Sequence, residues 1–220
     1  MEHPASLPGA KRPVTTDADR PTGDEFDRHR AENYEVLALL LSASPSSEAL
    51  SLLAGLSGDA SALGQAWNEL ARAAGEADPA VVEREFFDLF VGVGRGELLP
   101  YASFYITGFL HERPLAELRG DLVRLGIARQ PDDHEPEDRV ALLCSVMASF
   151  ARGELPGSSE GLSEAAFFER HLAPWVGLFF EDLGLAPAAR FYLAVAGVGR
   201  EFIATEHQTF ALAAQETAVA

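Results

Sequence analysis

Apolar side chains recur at helical spacing along most of this chain. Tyr34, Leu37, Ala38 and Leu41 stand at i, i+3, i+4 and i+7, and Val82, Phe86, Leu89 and Phe90 repeat the pattern, with Pro79 suited to a first helical turn. A third stripe runs through Val140, Leu143, Cys144, Met147 and Phe150. A fourth, Phe191, Ala194, Val195, Val198 and Phe202, lies on what reads as the longest helix. Strand-type alternation is scarce. A helix with one apolar stripe has to bury it on a neighbour, so the stripes predict helices packed on one another. Shorter helices are expected at 47–55, 59–76, 114–126, 163–171 and 175–184, each opened by Ser, Asp or Pro and closed near Gly or Pro. The expectation is an all-α fold: one bundle-like domain of about nine helices.

The N-terminal stretch departs from this pattern. Pro4, Pro8, Pro13 and Pro21 stand among small and charged residues, and Phe26 is the first aromatic. Residues 1–25 are therefore expected to be a disordered tail, with the helical domain over 26–216. Two interior stretches interrupt the helices, 92–105 and 128–135, and such loops are where function concentrates. A third, 153–161, reads as a Gly/Ser/Pro linker.

Charge narrows the partners. With 34 acidic and 17 basic side chains the formal net charge is −17, which repels phosphate backbones and anionic lipid and favours basic partners. Cys144 is the single cysteine, so neither an intramolecular disulfide nor a cysteine metal cluster is available, consistent with a reducing compartment. No window approaches the roughly 18–20 apolar residues of a membrane span, and residues 1–25 lack the apolar run of a secretory signal. A cytoplasmic protein without membrane insertion is expected.

Several motifs invite chemical readings. Gly92-Val93-Gly94-Arg95-Gly96 has glycines spaced as in phosphate loops, but it follows a helix and lacks the Gly-Lys-Ser/Thr ending. A helix C-cap followed by a tight turn is the favoured reading. Asp132-Asp133-His134-Glu135 and Glu206-His207 offer metal-ligand types, yet adjacent loop residues seldom face one ion, and a solvated acidic loop is favoured. Glu135-Pro136-Glu137-Asp138-Arg139 reads as a helix start, with its carboxylates complementing the helix dipole. No Gly-x-Ser-x-Gly elbow or His-Glu-x-x-His helix is present. The expectation is a protein that is not an enzyme and needs no cofactor. Pro100-Tyr101-Ala102-Ser103-Phe104-Tyr105 combines apolar area with hydrogen-bonding tips beside the glycine turn, which suits either peptide recognition or a core tyrosine.

Taken in order, these segments resemble the TorD/DmsD family of maturation chaperones for molybdenum and tungsten oxidoreductases. The resemblance rests on Glu85-Phe86-Phe87-Asp88-Leu89-Phe90-Val91-Gly92-Val93-Gly94, Pro100-Tyr101-Ala102-Ser103-Phe104-Tyr105 and Glu135-Pro136-Glu137-Asp138. It continues in Phe167-Phe168-Glu169-Arg170-His171-Leu172-Ala173-Pro174-Trp175 and the Phe191-Tyr192 helix. It spans roughly residues 30 to 205. Two positions depart from the family pattern: Val93 stands where the family has proline, and Arg139 stands in place of its histidine, exchanging a titratable group for a permanent cation.

The resemblance implies a TorD-like all-helical fold. It also implies a chaperone that binds the twin-arginine signal peptide, the apo form, or both, of an oxidoreductase precursor, with a formate-dehydrogenase-like enzyme as the candidate client, and delays export until cofactor insertion. The implied peptide site comprises Leu89, Phe90, Pro100, Tyr101, Ser103, Tyr105, Asp138 and Arg139, with Asp138 facing the peptide's arginines. A monomer or a dimer swapped across 153–161 is implied. The alternatives are a scaffold for the client body alone and a nucleotide hydrolase using Gly92 to Gly96.

Overall fold

A computed structural model describes residues 23–129, 135–155 and 162–219. Residues 1–22 of the tail expected over 1–25, Asp132-Asp133-His134 of the acidic run, and residues 156–161 of the linker lie outside the described residues, while residues 23–25 of that tail already belong to the first helix.

Among the described residues ten α-helices follow one another: α1 (Gly23–Ser42), α2 (Ser47–Ala54), α3 (Ala62–Glu76), α4 (Pro79–Phe86), α5 (Ala102–Thr107), α6 (Arg113–Arg124), α7 (Val140–Ala151), α8 (Glu164–His171), α9 (Val176–Leu185) and α10 (Phe191–Val219). Among the described residues there is no strand. The all-helical expectation holds, and α10, at 29 residues, is the longest element. Local chemistry sets the starts. Ser46, Ser61, Asp78 and Ser163 each accept a backbone N–H from the first turn of α2, α3, α4 and α8, and Pro79 and Pro114 occupy first turns where no N–H is needed.

The sequence misses two features. Phe87–Val91 is not a continuation of α4 but a π-helical turn, whose extra residue per turn carries Leu89 into the core. Ala102–Thr107, which begins within the stretch 92–105 read as a loop, is helical; at six residues it is too short to show an apolar period.

The core lies between α1 and α7 on one side and among α3, α9 and α10 on the other. Cys144 is completely buried on α7, and burial pushes its thiol up to about 12. α10 approaches α9 closely at Gly199, where an added Cβ would lie 2.2 Å from the Phe180 ring. A polar clamp joins α1 to α10: buried Glu206 accepts from Arg30 Nε (2.8 Å), Arg30 Nη2 (2.7 Å) and the Tyr34 hydroxyl (2.8 Å). Such a pair holds its elements in register, and its desolvation is offset only because every oxygen is satisfied. Among the described residues no helix is long and apolar enough to cross a membrane.

Candidate functional site

Two segments singled out in the sequence meet in space. The chain leaving the glycine turn pairs with the stretch before α7. Ala102 N–H donates to the Asp138 carbonyl (3.0 Å), Val140 N–H donates to the Pro100 carbonyl (2.9 Å), and Tyr101 and Arg139 face each other across an isolated antiparallel bridge. Main-chain pairing therefore gathers Pro100, Tyr101, Ser103, Asp138 and Arg139.

Asp138 turns inward. It is fully buried, and Oδ2 accepts the Ser103 N–H at 2.7 Å, capping α5 from 35 positions away because the α5 N-cap residue, Tyr101, offers no side-chain cap. Its Oδ1 and the Ser103 hydroxyl are both buried without a hydrogen-bond partner. The expected helix start is thus corrected: α7 begins at Val140 with Arg139 as N-cap, Pro136 stands outside it, and the Asp138 carboxylate serves α5 instead. Arg139 extends the other way. Its Nη2 donates to the carbonyls of Leu41 (2.7 Å) and Ser42 (2.9 Å), placing a cation on the open carbonyls at the end of α1.

Tyr101 and Tyr105 stand one helical turn apart, with Tyr105 N–H donating to the Tyr101 carbonyl. Each hydroxyl donates to a carboxylate, Tyr101 to Glu135 Oε2 and Tyr105 to Asp182 Oδ2 (3.0 Å). Burial, reinforced by those carboxylates, pushes both phenols well above their ordinary value, so both remain donors at any physiological pH. The Tyr105 ring packs on Trp175 (5.4 Å between centroids) and edge-on to Phe179 (6.1 Å). Half-buried Phe90 supports Phe179 from below (6.5 Å), and Leu89 is wholly internal. Leu89, Pro100, Ser103 and Asp138 therefore present almost no surface here, whereas Tyr101, Tyr105 and Arg139 reach the edge.

Beside this edge a cavity of about 540 Å³ opens between α1 and α7, lined by Glu35, Leu39, Glu135, Glu137, Arg139 and Leu142 among others. Glu137 is held by Arg119 (2.8 Å) and Arg129 (3.5 Å), and Glu35 by Arg152 (2.6 Å). Sequence reasoning did not find Glu35 or Asp182, which sit mid-helix with no local signature. Trp175 was visible within the C-terminal segment but without a role.

The glycine stretch behaves as a cap and turn. Gly92, at φ 62°, donates its N–H to the Phe87 carbonyl (2.7 Å), and the chain folds back so that Glu97 and Leu98 N–H donate to the carbonyls of Asp88 and Leu89. Val93, the proline substitute, is 96% exposed at the tip. Among the described residues no group of three or more His, Cys, Asp or Glu side chains is arranged to hold a metal, and Glu206 belongs to the clamp on Arg30.

Comparison with known proteins gives the family and the fold. Residues 57–181 match the family described as nitrate reductase delta subunit. The chain is 29% identical over 140 residues to the chaperone protein TorD of Vibrio cholerae serotype O1 (strain ATCC 39315 / El Tor Inaba N16961), covering 60% of this chain and 64% of that one. It is also 29% identical over 122 residues to TorD of Aliivibrio fischeri, covering 52% and 57%. The alignment thus spans a little under two thirds of these relatives' length. The fold is shared with a crystal structure of a redox enzyme maturation protein from Archaeoglobus fulgidus, at a TM-score of 0.52 and 16% identity, over 79% of this chain and 93% of that one. With more than half of its 220 residues inside the matched span, this chain, which is also similar to the TorD chaperones, belongs to the nitrate reductase delta subunit family.

Proposed function

We propose that the protein is a cytoplasmic chaperone for the precursor of a molybdenum or tungsten oxidoreductase, binding its twin-arginine signal peptide and delaying export until the cofactor is inserted. The observation that carries this reading is the edge formed by Tyr101 and Tyr105, two aromatic side chains with hydroxyls fixed by Glu135 and Asp182, beside a cavity rimmed by Glu35, Glu135 and Glu137. A signal peptide joins a basic segment to an apolar one, and its receptor needs apolar area within a negative field. The edge offers the first and the net charge of −17 the second. Asp138 supports the site from within by holding α5, while Glu135 and Asp182, which accept the tyrosine hydroxyls, lie exposed at the surface.

The test measures peptide affinity and melting temperature on the same proteins. Tyr101→Ala is expected to lower affinity for a twin-arginine peptide by about 1–3 kcal/mol while leaving the melting temperature within a few degrees. Wild-type affinity is expected to fall as salt rises, with an apolar remainder. Unchanged affinity in a folded Tyr101→Ala protein would remove this edge from the site.

A further inference from the structure

Just beyond Tyr105 the chain does something costly and well defined. Gly108 ends α5 in the left-handed region (φ 83°), and His111, a non-glycine residue, follows at φ 63°, a conformation that costs on the order of 1 kcal/mol. Between them Phe109 is 70% exposed. Its backbone is nonetheless fixed: Phe109 N–H donates to the Thr107 hydroxyl oxygen (3.2 Å), and that hydroxyl donates back to the Ser103 carbonyl (2.8 Å). An apolar ring is thus held out in solvent on an ordered turn. Ile106, the residue after Tyr105, is 41% exposed.

Helix α9 lies against Tyr105. Tyr105 touches this helix at Trp175 and Asp182, and Leu178, 55% exposed, lies between those two on the same side by its i+3 and i+4 spacing. Glu181 and Asp182 border the stripe, and neither has a cationic partner among the described residues. This differs from the α1–α7 cavity, where Glu35 and Glu137 are each paired with arginine.

We infer that Ile106, Phe109 and Leu178 form the bed for the apolar segment of the bound peptide, with Glu181 and Asp182 facing the cationic residues that adjoin it. The inference rests on the peptide-binding reading above and extends it to residues outside the family motifs. Charge selects the occupant: an apolar stripe edged by unneutralised carboxylates fits an apolar run joined to a cationic one, and disfavours an acidic or purely apolar partner. The rigid turn lowers the ordering cost of the aromatic anchor on binding.

Two synthetic peptides separate the outcomes: one with paired arginines followed by a run of about a dozen Leu and Ala residues, within the usual length of a signal's apolar segment, and one with that run replaced by Ser and Gly. Phe109→Ser and Leu178→Ser alter exposed side chains and are expected to leave the melting temperature unchanged. Each is expected to weaken binding of the apolar peptide roughly tenfold and to leave binding of the Ser/Gly peptide as in wild type. Wild-type affinity for the apolar peptide in both variants, with Tyr101→Ala still impaired, overturns this inference and leaves the peptide-binding reading standing. Equal weakening toward both peptides also overturns it, since the residues would not then be reading the apolar run. Failure of the wild-type protein to bind either peptide overturns both.

Discussion

Two buried carboxylates cap helices far from them in sequence, and they do so to different degrees. Glu85, on α4, receives three N–H groups at the start of α10: Arg190 (2.7 Å) and Tyr192 (2.7 Å) on Oε1 and Phe191 (3.1 Å) on Oε2. Asp138 receives one at the start of α5, and leaves Oδ1 and the neighbouring Ser103 hydroxyl without partners. Both side chains belong to the segments that carry the family resemblance, yet neither presents a working surface. Glu85 is a saturated joint, which fastens the longest helix to α4. Asp138 is an incomplete one beneath α5, which half-buried Tyr101 precedes and half-buried Tyr105 lies on. The difference separates what motif residues do for the fold from what they do for the site: the first cap fixes the body, while the second fixes the pose of Tyr101 and Tyr105.

The comparison is broken most severely at Glu85. Glu85→Ala leaves three N–H groups, two of them buried, without their acceptor, and a loss of about 3–5 kcal/mol in unfolding free energy is expected from denaturant titration. A loss below about 1 kcal/mol would mean that water replaces the carboxylate and that the joint is not structural. Asp138→Ala removes a single cap bond, with an expected loss of about 1–2 kcal/mol. Because α5 loosens, affinity for a twin-arginine peptide falls with it. If affinity fell for arginine-bearing peptides alone, the carboxylate would be acting as a charge on the ligand and not as a cap. Ser103→Ala gives the smallest effect: deleting a hydroxyl that has no partner is expected to leave stability within about 0.5 kcal/mol of wild type or slightly above it. A larger loss measured by the same denaturant titration would show that this hydroxyl and Asp138 Oδ1 are bridged in solution.

The stripe at Tyr34, Leu37, Ala38 and Leu41 identified α1, and the run from Phe191 to Phe202 identified α10, because a one-sided helix writes its 3.6-residue period into the chain. Helix α5 escaped because six residues do not complete enough turns for a period to show. The two caps escaped for another reason. An N-cap is legible when the capping residue precedes its helix, as Ser46 and Ser163 do, whereas Glu85 and Asp138 reach their helices across 105 and 35 residues. Read locally, Asp138 looked like the first turn of α7. At the site, the tyrosines were legible from their composition, but their anchors were not: nothing around Asp182 distinguishes it from an ordinary surface carboxylate until Tyr105 is placed against it. The substituted Arg139 shows the same limit. Its loss of a titratable imidazole was evident from sequence, while its grip on the end of α1 required the fold.

Cys144 makes this chain its own reporter. It is the only thiol, it sits without exposure on the helix that packs most extensively against α1, and burial keeps it protonated near neutral pH. A sulfhydryl reagent added to the native protein is consequently shut out until the interior opens around α7, and the labelling rate becomes a clock for that opening. The clock needs no engineered residue, and a client that tightened the bundle would slow it.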